Sequence, residues 1–144
     1  MDTGQKLKHK RIRPFNTQKT YPEQTINNDL CQAVVAKGSM VFLRGQIGQD
    51  LKTSESVSIG DATGQAERAM SNIAEILAEA GGELEDICKV TIYLTDPRYR
   101  EDVYNVVGKW LKGVFPVSTG IVVTAFARPE YLVEIDAIAV ISDT

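Results

Sequence analysis

From Asp61 to Ala80 the apolar positions Ala62, Ala66, Ala69, Met70, Ile73, Ile76, Leu77 and Ala80 recur at spacings of three and four, which predicts one long amphipathic helix. Asp61 offers an acceptor to the first free N–H groups, and Gly81-Gly82 supplies the positive φ that ends the helix. The period changes at Lys89 to Thr95, where Val90, Ile92 and Leu94 alternate with Thr91, Tyr93 and Thr95, the pattern of a strand with two different faces. Asp96-Pro97 predicts a second helix start, with Tyr99, Val103, Val106, Val107 and Trp110 as its stripe and Gly113 and Pro116 as its stop.

Strands are expected on both sides of these helices. Gln32 to Lys37 and Met40 to Arg44 are short runs rich in Val, Phe and Leu around Gly38-Ser39, which reads as a type II′ hairpin. Ser118 to Phe126 and Leu132 to Ile141 read as the last strands, joined by the turn-prone Arg128-Pro129-Glu130. The order is ββαβαββ, an α+β domain over residues 29–144, preceded by a basic flexible arm and extended lead-in over residues 1–28. Two helices are too few to cover both faces of such a sheet. One face is therefore left to a partner, and the apolar far end of the last strand makes oligomerisation the expectation.

Composition narrows the chemistry. A chain of 144 residues with net charge -3 fits one domain and has no general attraction to nucleic acid or anionic membrane. Its positive charge collects at Lys6, Lys8, Lys10, Arg11 and Arg13, where solvation is the ordinary fate and RNA contact ranks below it. No apolar run reaches the length of a membrane span, and the segment after Met1 is too polar for a signal peptide, so a cytoplasmic location is expected. His9 is the sole histidine and Cys31 and Cys88 lie far apart, which excludes a Ser-His-Asp triad, a Cys-His pair and a zinc site. The two thiols are expected to be buried and inert, and nothing calls for a metal or cofactor.

Several segments then carry a resemblance. Phe42-Leu43-Arg44-Gly45-Gln46-Ile47-Gly48, Gly60-Asp61 with Gln65, Asn72-Ile73, Ala80-Gly81-Gly82, Leu94-Thr95-Asp96 and Val133-Glu134-Ile135-Asp136-Ala137-Ile138-Ala139 occur in the order and spacing of the YjgF/RidA reactive-intermediate deaminase family. The resemblance covers nearly the whole chain from Gln32. It implies a chorismate-mutase-like subunit in a homotrimer, with sheets in a central barrel, helices outside and clefts between subunits. It implies hydrolysis of a small imine or enamine to a carbonyl compound and ammonia. In deaminating members, the arginine of a Pro-x-Arg segment binds the substrate carboxylate, and the glutamate matching Glu134 positions the attacking water.

The chain departs from that pattern where the substrate would bind. Phe115-Pro116-Val117-Ser118-Thr119 puts Ser118 at the arginine position, and serine cannot make a charged two-pronged bond to a carboxylate. Leu30 replaces the usual tyrosine and Tyr104 the usual asparagine. Arg44, in place of the serine common before Gly-Gln, becomes the candidate anchor for an anionic group, or else a structural ion-pair partner of Glu134 or Asp136. Gly45, Ser118, Thr119, Tyr104 and Tyr93 are candidate lining residues. For Gly45 a strand exit and turn is the preferred reading, and for Glu134 a solvated strand face is the alternative, which the family match ranks below the functional one. The alternatives to imine or enamine hydrolysis are a non-catalytic trimer that binds metabolite, protein or RNA and, more weakly, an endoribonuclease or translation inhibitor.

Overall fold

The computed structural model describes residues 7–143, so Lys6 of the basic cluster lies outside the described residues. In chain order the elements are β1 (Lys10–Ile12), β2 (Phe15–Asn16), α1 (Thr17–Thr20), β3 (Asp29–Leu30), β4 (Ala33–Val35), β5 (Ser39–Gln46), α2 (Ala62–Glu79), β6 (Ile87–Leu94), α3 (Arg100–Trp110), β7 (Val117–Val122) and β8 (Val133–Ile141). The main sheet has the order β5-β8-β6-β7. β8 is antiparallel to both neighbours, whereas β6 and β7 run parallel, and α3 lies in the crossover that a parallel pair requires.

Both long helices form where the periodicity places them. The Asp61 carboxylate accepts from Gly64 N, and Gly81 at φ 87° follows the last turn of α2. Asp96 accepts from Arg98 N, and a short 3-10 turn, Pro97–Tyr99, leads into α3. Ala66, Ala69, Met70, Ile73 and Leu77 of α2 and Val103, Val106 and Val107 of α3 close over Val90, Ile92, Leu94, Val133, Ile135, Ala137 and Ala139 of the sheet. Trp110, expected in the core, is half-buried at its edge, where its indole N–H donates to Glu67 Oε2 at 2.8 Å.

The opposite face of the sheet carries no helix. Phe42 is 70% exposed there and Met40 58%, next to half-buried Ile138, and Ile121 is 42% exposed on β7. A large aromatic side chain left in water beside other apolar groups is the mark of a surface that a partner covers.

Two expectations are corrected. The hairpin around Gly38-Ser39 does not form: β5 pairs with β8, Ser39 opposite Ile141, while β4 pairs with β1. Gly38 has φ 149°, far from the roughly +60° a type II′ turn needs, so the chain continues rather than reverses. A Cβ at Gly38 would lie 2.0 Å from the Ile141 carbonyl oxygen, so glycine serves here for close strand approach. The residues expected to form a flexible lead-in are instead tied to the domain. Lys8 pairs with Asp86 at 3.0 Å, His9 Nε2 donates to the Val140 carbonyl at 2.7 Å, and Arg11 donates to the Ile87 carbonyl at 2.9 Å. β1 and β2 complete two small ladders with β4 and β3.

Gly38→Ala is expected to lower stability by about 2 kcal/mol, because both the φ and the carbonyl contact resist a Cβ. Urea denaturation checks this. An unchanged midpoint would mean that the β5–β8 end is looser than described.

Candidate active site

Glu134 and Asp136 point to the same face of β8 and are indistinguishable by alternation, but their surroundings differ. Tyr93 Oη donates to Asp136 Oδ2 at 3.1 Å, whereas no hydrogen bond reaches the Glu134 carboxylate among the described residues. Glu134 instead lies across Gly45, where a Cβ would meet Glu134 Oε2 at 2.2 Å. Glycine at 45 is therefore the space the carboxylate occupies, which a turn alone does not explain. Burial pushes the Glu134 pKa above the ordinary 4.5 and the nearby Asp136 charge adds to the rise, while Arg44 opposes it.

Arg44, Gly45 and Glu134 line one cavity of about 280 Å³, together with Gln46, Phe126 and Tyr131. Arg44 makes no ion pair within 4.0 Å among the described residues, so within the subunit it is not the structural bridge its position allowed. It reaches Glu134 through the field of its charge alone.

Ser118 and Tyr104 line a second and larger cavity, about 610 Å³, with Arg100, Gly120 and a wall drawn from Phe15 to Leu30. Its location follows from the sheet order: β7 is one edge and β5 the other, with β8 and β6 between. Within one subunit, the candidate residues thus form two half-sites at opposite edges. Thr119 and Tyr93 line neither cavity. Thr119 alternates away from Ser118 on β7, and Tyr93 is half-buried with its hydroxyl committed to Asp136.

The second cavity is shaped by three linked positions. With serine at 118 and no side chain at 120, the Tyr104 ring reaches across to β7; a Cβ on Gly120 would lie 1.3 Å from its hydroxyl. Burial raises the Tyr104 pKa, opposed by Arg100, whose guanidinium carbon sits 4.9 Å from the ring centroid. Sequence reasoning missed Arg100. The signal was its spacing of four from Tyr104, which puts the two on one helix face.

Both cysteines are buried as expected, and burial raises their pKa values. Arg11 opposes that rise at each, a basic neighbour brought from far along the chain. Among the described residues no group of three His, Cys, Asp or Glu side chains is placed to hold a metal ion, and no helix is long and apolar enough to cross a membrane.

A mixed sheet backed by two helices, with a half-buried carboxylate over a glycine, defines an α+β subunit of the YjgF/RidA kind. The Endoribonuclease L-PSP family profile matches residues 23–141, and the chain belongs to this family, also called YjgF/RidA. It is 43% identical over 110 residues to Protein DfrA of Myxococcus xanthus, covering 76% of this chain and 82% of that one. It is 31% identical over 100 residues to the human 2-iminobutanoate/2-iminopropanoate deaminase, covering 69% and 72% respectively. The crystal structure of RidA from an Antarctic Psychrobacter superposes with a TM-score of 0.67 at 32% identity, covering 77% of this chain and 87% of that one.

Gly120→Ala is expected to expel the Tyr104 ring and cost about 1–3 kcal/mol. Tyr104→Ala should make the same change at 120 nearly neutral, since the two share one volume. A double-mutant cycle in urea checks this; additive losses would show that the residues do not compete for the space.

Proposed function

We propose that the chain hydrolyses the C=N bond of a small imine, or of the imine tautomer of an enamine, in clefts between the subunits of a homotrimer. The observation that carries the reading is Glu134: a half-buried carboxylate with a raised pKa, without a hydrogen-bond partner among the described residues and held over Gly45 beside Arg44. Deaminase names among relatives at about this level of identity support it. The partner-ready sheet face supports a closed oligomer, since joining the β5 edge of one subunit to the β7 edge of the next would unite the two half-sites.

The chemistry follows from the carboxylate. Ionised Glu134 accepts a hydrogen bond from water and takes its proton as the oxygen bonds to the imine carbon and the C=N electrons move to nitrogen. The proton then passes to that nitrogen, giving a carbinolamine; Glu134 next takes the hydroxyl proton and delivers it to the same nitrogen, so that the C–N bond breaks and ammonia leaves as the carbonyl forms. A carboxylate whose pKa is raised toward the working pH is better matched to take and return a proton than one fixed near its ordinary value.

A second reading is a trimer that binds a metabolite without turning it over. It is favoured by Ser118, which carries no charge at the position where the family resemblance implies an arginine. The endoribonuclease reading has less support, because Lys8 and Arg11 of the basic segment are engaged with Asp86 and with backbone carbonyls.

The test generates imino acids in place with an amino-acid oxidase and times their decay. Glu134→Gln should lower the acceleration by about 10²–10⁴. The acid limb of the wild-type profile should lie above 4.5, with activity lost as pH falls through the raised Glu134 pKa. Arg44→Ala removes the charge that holds that pKa down, so the limb should move to higher pH. Unaltered decay in Glu134→Gln, or no acceleration by wild type across a broad panel of imines, would give the site to the binding-only reading.

A further inference from the structure

The cavity between α3 and the segment Phe15 to Leu30 is built more elaborately than the Glu134 half-site requires. Gln24 braces that segment from inside: its side-chain amide donates to the carbonyls of Tyr21 at 2.9 Å and Ile26 at 3.0 Å, and its Oε1 accepts from Ile26 N at 2.8 Å. Thr17 Oγ1 donates to the Ile26 carbonyl at 2.6 Å, and Asn16 caps α1 while bonding Asp29. This is a preformed wall. Its first part, including Phe15 and Tyr21, precedes the region that matches the family profile.

Arg100 faces this cavity from the other side. It stands over the Tyr104 ring, and no carboxylate lies within 4.0 Å of it among the described residues, although Glu23 also lines the cavity. Stacking on an aromatic face fixes the guanidinium plane and leaves its N–H edge for an anion. Opposite it, Phe15, Ile26 and Leu30 present apolar surface and Tyr21, 52% exposed, an aromatic rim. A volume of about 610 Å³ exceeds what a two- or three-carbon side chain fills.

We propose that Arg100 is the carboxylate anchor of this cavity, and that the cavity selects carboxylates carrying a large apolar or aromatic body. The assignment of imino acids as the natural occupants rests on the deaminase reading; the anchor and the size preference rest on the cavity itself. Arg44, given the anion on sequence grounds, then keeps its influence on Glu134 at the other half-site. The serine at 118 is compensated from α3: the charge comes from a helix residue four positions before Tyr104, and the room freed on β7 is shared between the tyrosine ring and the ligand.

Equilibrium calorimetry with the full chain, without turnover, tests this with three probes: phenylpyruvate, 2-oxobutanoate and the uncharged methyl ester of phenylpyruvate. Phenylpyruvate should bind more tightly than either of the others. Arg100→Ala should weaken it by about tenfold or more, and by more than Arg44→Ala does, while Arg100→Lys should restore part of the loss. Tyr21→Ser should weaken phenylpyruvate and not 2-oxobutanoate. Arg100 and Tyr21 are both exposed, so the variants should fold as wild type, with circular dichroism as the check. Loss in Arg44→Ala but not in Arg100→Ala would return the anion to Arg44 and overturn the proposal. Absence of phenylpyruvate binding, equal binding of the ester, or tighter binding of 2-oxobutanoate would each overturn it as well. Failure of the deaminase reading shows elsewhere, as unaltered imine decay in Glu134→Gln.

Discussion

Two helices cannot cover both faces of a four-stranded sheet, and the rest of the molecule is arranged around that shortage. α2 and α3 close one face into the core, leaving Phe42, Met40 and Ile121 on a face that water alone covers in the single subunit. The same sheet order puts the two candidate half-sites on edges separated by two strands. Assembly through the open face would bury the apolar side chains and bring edges together in one event, so stability and site completion would share a cause.

The shape of both half-sites depends on what is absent as much as on what is present. Gly45 leaves room for Glu134, and Gly120 with Ser118 leaves room for Tyr104. Each glycine is defined by the side chain lying over it. Ser118 brings no charge to its cavity, and the positive charge there comes from Arg100 on α3, over the Tyr104 ring.

Local physics was legible from the residues. Periods of 3.6 and 2 give α2, α3, β6 and β8 with their core faces, because burial is decided by nearest neighbours on one element. Pairing was not. β5 was assigned to the strand nearest in sequence, yet it pairs with the chain's far end, because Gly38 extends where a turn was expected and β8 offers a longer ladder. The role of residues 8–30 was also hidden, since their contacts run to Asp86, Val140 and Ile87, about 75 to 130 positions away. At the candidate site, the family motif is what singles out Glu134 and Gly45 in the sequence. What separates Glu134 from Asp136 is a hydrogen bond from Tyr93 on the neighbouring strand, which alternation within β8 cannot report.

The central claim is that neighbouring subunits complete one another's sites, and mixed oligomers test it most directly. Glu134→Gln and Arg100→Ala alter opposite half-sites, so each alone should be impaired. Unfolded together in equal amounts and refolded, random trimers should regain about a quarter of wild-type imine hydrolysis, from interfaces that pair an intact edge with an intact edge. Activity no higher than the mean of the two variants refolded separately would mean that each subunit works alone, and the shared-site account would fail.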